Sequence, residues 1–137
     1  MLAFAWAWNE DTRKPERGLP ERLAASLCSG IGGHVGTVGI GNASFAYRPL
    51  RAAPALARAW CPATLPNGKV VAFHGYFDNA AEIAAELGAD ASDSARLYGL
   101  AVERWGDEAD RKVIGEYCAI ITEPPARRLR LSRSPLR

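Results

Sequence analysis

Thiol chemistry is the first possibility that the sequence offers, because it contains three cysteines, Cys28, Cys61 and Cys118, and two histidines, His34 and His74. A cysteine becomes a nucleophile when a neighbouring base or positive charge stabilises its thiolate. The odd number of cysteines predicts no disulfide framework, and no cysteine or histidine has the spacing of a zinc-ligand pair. We therefore expect no metal site, and we expect all three cysteines to be small buried apolar residues.

The elements that would position these side chains alternate between strands and helices. In the amino-terminal half, the sequence predicts a strand over residues 3–8, a helix over 20–27, and short strands between 35 and 50 that turn at Gly41 and Asn42. Residues 52–66 contain three prolines and are expected to form an irregular connection.

The carboxy-terminal half has stronger signals. Asn67 and Gly68 predict a hairpin turn before a strand over residues 70–77. Two helices and a final strand pair are expected after that strand. The first helix is expected to have Asn79 as its N-cap, with Glu82 completing a capping box, and to end at Gly88. The second helix is expected to begin at Ser92 or Asp93 and to end at Gly106. The strand pair is expected to join residues 116–122 to residues 129–132.

This order of elements is typical of an α+β layered domain in which helices cover an antiparallel sheet. With 137 residues, 48% of them hydrophobic and 23% charged, the chain is long and apolar enough for one globular domain with its own core. A net charge of +2 is too small to indicate nucleic acid or a membrane surface as the partner. The short apolar start lacks the basic residues of a signal peptide, so we expect a cytoplasmic protein with no membrane span.

Several motifs occur together in a fixed order. They are Val-Ala-Phe-His-Gly-Tyr-Phe-Asp-Asn at 71–79, Ser-Asp-Ser at 92–94, Glu-Arg-Trp-Gly at 103–106, Ile-Gly-Glu-Tyr-Cys-Ala-Ile at 114–120 and Leu-Arg-Leu-Ser-Arg-Ser-Pro-Leu at 129–136. In order and spacing they resemble the class II glutamine amidotransferase domain of the asparagine synthetase family. The opening Met-Leu-Ala-Phe-Ala-Trp aligns without gaps on that family's Met-Cys-Gly-Ile-Ala-Gly. The resemblance implies a four-layer αββα sandwich of the N-terminal nucleophile hydrolase type, truncated at its carboxy terminus.

The family's reaction uses a cysteine thiol as nucleophile and the α-amino group of the same residue as base, because an α-amino group with a pKa near 8 can accept the thiol proton. The matching position is Leu2, which has no nucleophile. Leucine after the initiator also disfavours removal of Met1, which would displace the amino group by one residue. The resemblance therefore implies a domain with no catalytic residue, and we expect it to hydrolyse no glutamine.

The other positions of the family's substrate pocket are only partly matched in this sequence. By the resemblance, His74 and Gly75 replace the asparagine and glycine of the oxyanion hole, and Tyr76 replaces a glutamate. Asp93 matches the aspartate that holds the α-amino group of the substrate, and Arg48 roughly matches the arginine that holds its carboxylate. These five residues define a vestigial substrate pocket.

Four of these five positions also have a simpler structural explanation. Asp93 suits an N-cap, and Arg48 before a proline suits a solvated strand end. A histidine in a strand, such as His74, is more often a satisfied histidine in a core or cleft, and Gly75 is also typical of a close backbone approach. The arginines between residues 127 and 137 alternate with leucines and are expected on a solvated strand face.

Some relatives in this family use no glutamine, namely the β-lactam synthetases and the cyclases that close lasso peptides. In these, an ATP-pyrophosphatase domain adenylates a carboxylate, an amine within the substrate attacks it, and the glutaminase-like domain remains as a structural partner. The resemblance thus implies a synthetase domain of this type as partner, and possible contact with a precursor peptide. ATP and Mg²⁺ are expected only in that further domain, because this chain has no Ser-Gly-Gly-x-Asp phosphate loop.

Two other functions stay open. One is a working glutaminase domain of an asparagine synthetase, which requires a nucleophile not found here. The other is a stand-alone module that binds a peptide or partner protein. The family pattern normally continues past the position of Arg137 into further strands, so we expect an unpaired sheet edge and either self-association or dependence on a partner segment.

Overall fold

The computed structural model describes residues 3–8, 18–28, 36–40, 43–48, 62–123 and 128–134. The chain divides into two units, residues 1–60 and residues 61–137. Both units combine helix with antiparallel strands, which confirms the α+β class predicted from the order of elements. No helix in the described ranges is long and apolar enough to cross a membrane.

The first unit contains a three-stranded sheet in the order β1-β3-β2. Its elements are β1 (Ala3–Trp8), α1 (Leu19–Cys28), β2 (Gly36–Ile40) and β3 (Ala43–Arg48). All pairings are antiparallel, and Ile40 pairs with Ala43. The turn predicted at Gly41 and Asn42 lies outside the described residues. The predicted strand, helix and strand pair of this half are therefore confirmed.

The second unit contains a four-stranded antiparallel sheet in the order β4-β5-β6-β7. Its elements are β4 (Ala63–Thr64), β5 (Val70–Phe77), α2 (Ala80–Leu87), α3 (Ser94–Trp105), a 3₁₀ turn (Gly106–Glu108), α4 (Ala109–Lys112), β6 (Gly115–Glu123) and β7 (Arg128–Arg133). The predicted strands and both long helices are confirmed.

The hairpin between β4 and β5 forms at the predicted place. Gly68 has a φ of 81°, and its amide donates to Leu65 O at 2.9 Å. The side chain of Asn67 accepts from the Lys69 amide at 3.1 Å, which holds the turn closed. Strand β4 itself lies inside the stretch predicted to be irregular, so that prediction is wrong for residues 63–64; residues 52–61 lie outside the described ranges.

The prediction for the start of α2 is wrong in its mechanism. Asn79 occupies the N-cap position, but its side chain makes no capping hydrogen bond with α2. Its amide instead donates to Lys112 O at 2.9 Å and its carbonyl accepts from the Ile114 amide at 3.0 Å. Asn79 thus ties the start of α2 to the end of α4 and to the loop that follows it. The helix does end at Gly88, whose φ of 62° is the predicted left-handed cap.

The core of the second unit lies between its helices and one face of the sheet. Four aromatic rings meet there with centroids 4.7 to 6.4 Å apart, those of Phe73, Phe77, Tyr98 and Tyr117. Helix α3 approaches the sheet closely at Gly99, where a Cβ atom would lie 2.7 Å from the Val71 side chain. The aromatic cluster and this close approach fix α3 on the face of β5 and β6.

Candidate functional site

Three of the five residues of the predicted pocket lie together at the end of β5. They are His74, Gly75 and Tyr76, which pair in register with residues 116–118 of β6. Gly75 has a φ of 128°, and a Cβ atom there would lie 2.0 Å from Glu116 O. No other residue fits that position, so the strand end is a close backbone approach of the kind that the sequence allowed for.

The His74 side chain is half-buried, and partial burial lowers its pKa below the ordinary value of 6.5. The imidazole is therefore neutral at pH 7 and has one N–H to donate. That is the property required of a donor to a developing oxyanion. Tyr76 is 52% exposed on the same strand end, so its ring is accessible to a ligand.

Cys118 is the cross-strand partner of His74 on the same face of the sheet. Burial raises the pKa of its thiol, so the thiol is protonated at neutral pH. A neutral imidazole beside a protonated thiol is the reverse of the thiolate–imidazolium pair found in cysteine hydrolases. The expectation of a buried cysteine is wrong for Cys118, which is only partly buried, but its protonated thiol makes it a weak nucleophile. The side chain of Cys28 and the whole of Cys61 lie outside the described residues.

Asp93 is the N-cap of α3, and its Oδ1 accepts from the Arg96 amide at 2.9 Å. The predicted structural role of this carboxylate is therefore confirmed. Within the described ranges, Asp93 forms no hydrogen bond or ion pair with His74 or Tyr76. The cap uses Oδ1 and not Oδ2.

Arg48 is the last residue of β3 and pairs in register with Ala3, which places it in the first unit. Its position at a strand end agrees with the simpler of its two explanations. Leu2, at the predicted nucleophile position, lies outside the described residues.

A polar cluster that the sequence did not predict is centred on Asp110 of α4. Its Oδ1 accepts from the hydroxyls of Tyr98 and Tyr117, at 2.6 and 3.0 Å. Its Oδ2 accepts from Arg130 Nη2 at 2.6 Å and from Ser132 Oγ at 3.3 Å. Four donors satisfy this carboxylate, so it has no free position for a substrate.

The ionisation of the cluster follows from these bonds. Burial and the bond to Asp110 raise the pKa of Tyr98 to about 12. Burial alone would raise the pKa of Asp110, but hydrogen bonds from Tyr98 and Arg130 hold it below the ordinary value of 3.8. Asp110 is thus ionised and both tyrosines are neutral at pH 7. We assign this Asp110 cluster a structural role, joining α3 and α4 to β6 and β7.

The cluster could not have been found from spacing alone. Tyr98, Asp110, Tyr117 and Arg130 come from four different elements, and only the β6–β7 register and the crossing of α3 bring them together. The one available signal was the presence of tyrosines on faces that otherwise pack the core, because a buried tyrosine hydroxyl needs a partner.

Groups of three or more His, Cys, Asp or Glu side chains that could hold a metal ion do not occur in the part of the chain that the structure describes. No protein-family model matches the chain, and no curated protein is significantly similar to it in sequence.

Proposed function

We propose that this chain is a degenerate glutamine amidotransferase-like domain of an ATP-dependent amide-forming enzyme of the asparagine synthetase type. In this proposal the domain hydrolyses no glutamine and serves as the structural partner of a synthetase domain. The observation that carries it is Leu2, at the position where the resembling family has its cysteine. Without a thiol on the residue that bears the reacting amino group, the family's acyl transfer has no nucleophile.

The described geometry supports the proposal at two points. The first is the end of β5, where a neutral His74 precedes Gly75, whose backbone tolerates no side chain. A side-chain donor followed by a glycine amide is the pattern of an oxyanion hole, although an imidazole differs in shape from the family's carboxamide. The second is Cys118, whose raised thiol pKa makes it a poor replacement nucleophile.

The proposed fold is the four-layer αββα sandwich. Two antiparallel sheets, one in each unit and each accompanied by helix, are the components that such a sandwich requires. The stacking of the two sheets belongs to the proposal. The partner, an ATP-pyrophosphatase-type domain that supplies ATP and Mg²⁺ chemistry, is also part of the proposal. The lasso-cyclase branch, in which a precursor peptide is the substrate, is part of it as well.

Ammonia release from glutamine tests the proposal, with a glutamine-hydrolysing asparagine synthetase as the positive control. We expect no release above the buffer rate, both for the chain alone and with ATP and aspartate added. Sustained turnover, proportional to the concentration of the chain, would show a working glutaminase and overturn the proposal.

A further inference from the structure

The outer edge of β7 has features that the proposed function does not use. In sheet order, β7 is the last strand, and no described strand pairs with its outer side. Leu131 on this strand is 66% exposed and Leu129 is 39% exposed. An open edge strand with exposed apolar side chains is a template for the addition of another strand.

The backbone groups that are free on this edge follow from the β6–β7 register. The Ser134 amide donates to Tyr117 O at 2.9 Å, so the main-chain groups of Ser134 point toward β6. Because these groups alternate along an antiparallel strand, those of Leu129, Leu131 and Arg133 point outward. The edge therefore presents a row of donors and acceptors on three alternate residues.

The exposed side chains of β7 determine which charge is favourable on a segment that binds there. Arg128 and Arg133 are exposed at the two ends of β7, and neither forms an ion pair within the described residues. Arg130 lies between them but is turned inward to Asp107 and Asp110. The two free guanidinium groups thus flank the exposed leucines, with one group on each face of the sheet.

We propose that the outer edge of β7 binds an extended, acidic segment of a partner polypeptide as an added antiparallel strand. Directly opposed residues of an antiparallel pair share a face, so apolar residues oppose Leu129 and Leu131. Carboxylates oppose Arg128 and Arg133. A second copy of this chain fits less well, because it would bring the same arginine-rich strand against itself, and like charges across a strand pair repel.

The segment defined by this register has the order acidic, polar, apolar, polar, apolar, acidic, from its amino to its carboxyl end. A capped peptide Glu-Thr-Val-Thr-Val-Glu represents it, and the matched control replaces both glutamates by lysine. The probe is titrated into the uniformly ¹⁵N-labelled full chain, and amide shifts are followed by NMR. This method suits the weak affinity of a single short strand.

We expect saturable shifts and slowed hydrogen exchange at the amides of Leu129, Leu131 and Arg133. The acidic peptide should bind about tenfold more tightly than the basic one, because two opposed charge pairs change sign. The double variant R128E/R133E should reverse this preference. Leu131→Pro removes one outward donor and should weaken binding about fivefold or more, whereas Leu131→Ala keeps that donor and should weaken it less.

Three results would overturn the proposal. The first is no shift at these amides with either peptide, and the second is equal affinity for both peptides. The third is a set of shifts at the same amides that depends on the concentration of the chain alone, which would identify a second copy as the occupant. If Leu131→Pro fails to fold, the binding preference of the R128E/R133E variant for the two peptides still tests the proposal. The titration reports only on β7, so its failure leaves the absence of glutaminase activity untouched.

Discussion

Replacing Asp110 by alanine should destabilise the second unit strongly, although this residue belongs to no reactive site. The substitution removes the acceptor for the hydroxyls of Tyr98 and Tyr117 and for Arg130. Tyr98 is fully buried, so its hydroxyl would lose its acceptor at 2.6 Å in a place away from water. Arg130 is 24% exposed and would regain part of its hydration.

The magnitude can be worked from these contacts. A buried hydroxyl left unsatisfied costs about 1–3 kcal/mol. Breaking one partner of a buried ion pair costs about 3–5 kcal/mol, which is an upper bound here because Arg130 and Asp110 are 24% and 29% exposed. The two contributions share the same carboxylate and do not add fully. We expect Asp110→Ala to lower the free energy of unfolding by about 4 kcal/mol. The matched control is Asp107→Ala, because Asp107 also pairs with Arg130 but its side chain is 97% exposed, so its loss should cost about 1 kcal/mol or less.

Urea denaturation followed by far-UV circular dichroism measures both variants. A double-mutant cycle with Tyr98→Phe sharpens the test, since the loss of this hydroxyl should cost about 1–2 kcal/mol in the wild-type background and nearly nothing beside Asp110→Ala. Equal costs for Asp110→Ala and Asp107→Ala, or additive effects in the cycle, would refute the assignment of the Asp110 cluster as a partly buried, satisfied network.

Three further predictions concern pH, backbone geometry and helix capping, and the same urea assay checks each. The pKa of Asp110 in the folded state lies below 3.8, so the stability that its carboxylate provides is present above about pH 4 and is lost as the pH falls through that pKa. Asp110→Asn should remove this loss of stability in acid. An unchanged dependence of stability on pH in the variant would contradict the prediction. Gly75→Ala should lower the free energy of unfolding by about 3 kcal/mol or prevent folding, because its Cβ would collide with Glu116 O. The control Gly88→Ala, which also has a positive φ but has open space around it, should cost about 1 kcal/mol. Equal costs for the two variants would count against the close approach at Gly75. Asp93→Ala should lower the free energy of unfolding by about 1 kcal/mol and Asp93→Asn by only a few tenths, as expected of an N-cap. Equal losses of stability in the two variants would indicate that the charge of Asp93, and not its capping hydrogen bond, stabilises α3.

Local signals predicted most of the second unit correctly. The turn at Asn67 and Gly68, the left-handed cap at Gly88 and the N-cap at Asp93 each depend on a few neighbouring residues, and all three form as expected. The strands were equally clear, because both faces of β5 and β6 are buried over much of their length and the sequence is apolar there.

The failures share a physical cause, which is competition from residues distant in sequence. Asn79 has the residue type of an N-cap, yet its side chain bonds to the end of α4 and to the loop after it, more than 30 residues away. Helix α4 was missed because it is a single polar turn, stabilised through Asp110 rather than by a periodic apolar face. Of the predicted pocket, only the consecutive residues at the end of β5 could be placed together from sequence.

Labelling with a glutamine-mimicking diazoketone, followed by intact-mass and peptide mass spectrometry, tests the central claim most directly. The claim is that this chain lacks the nucleophile of the family that it resembles, so the parent chain should remain unlabelled. Leu2→Cys, once its initiator methionine is removed, should gain a single adduct on the new terminal cysteine, whereas Leu2→Ala should gain none. An adduct on the parent chain would contradict the account.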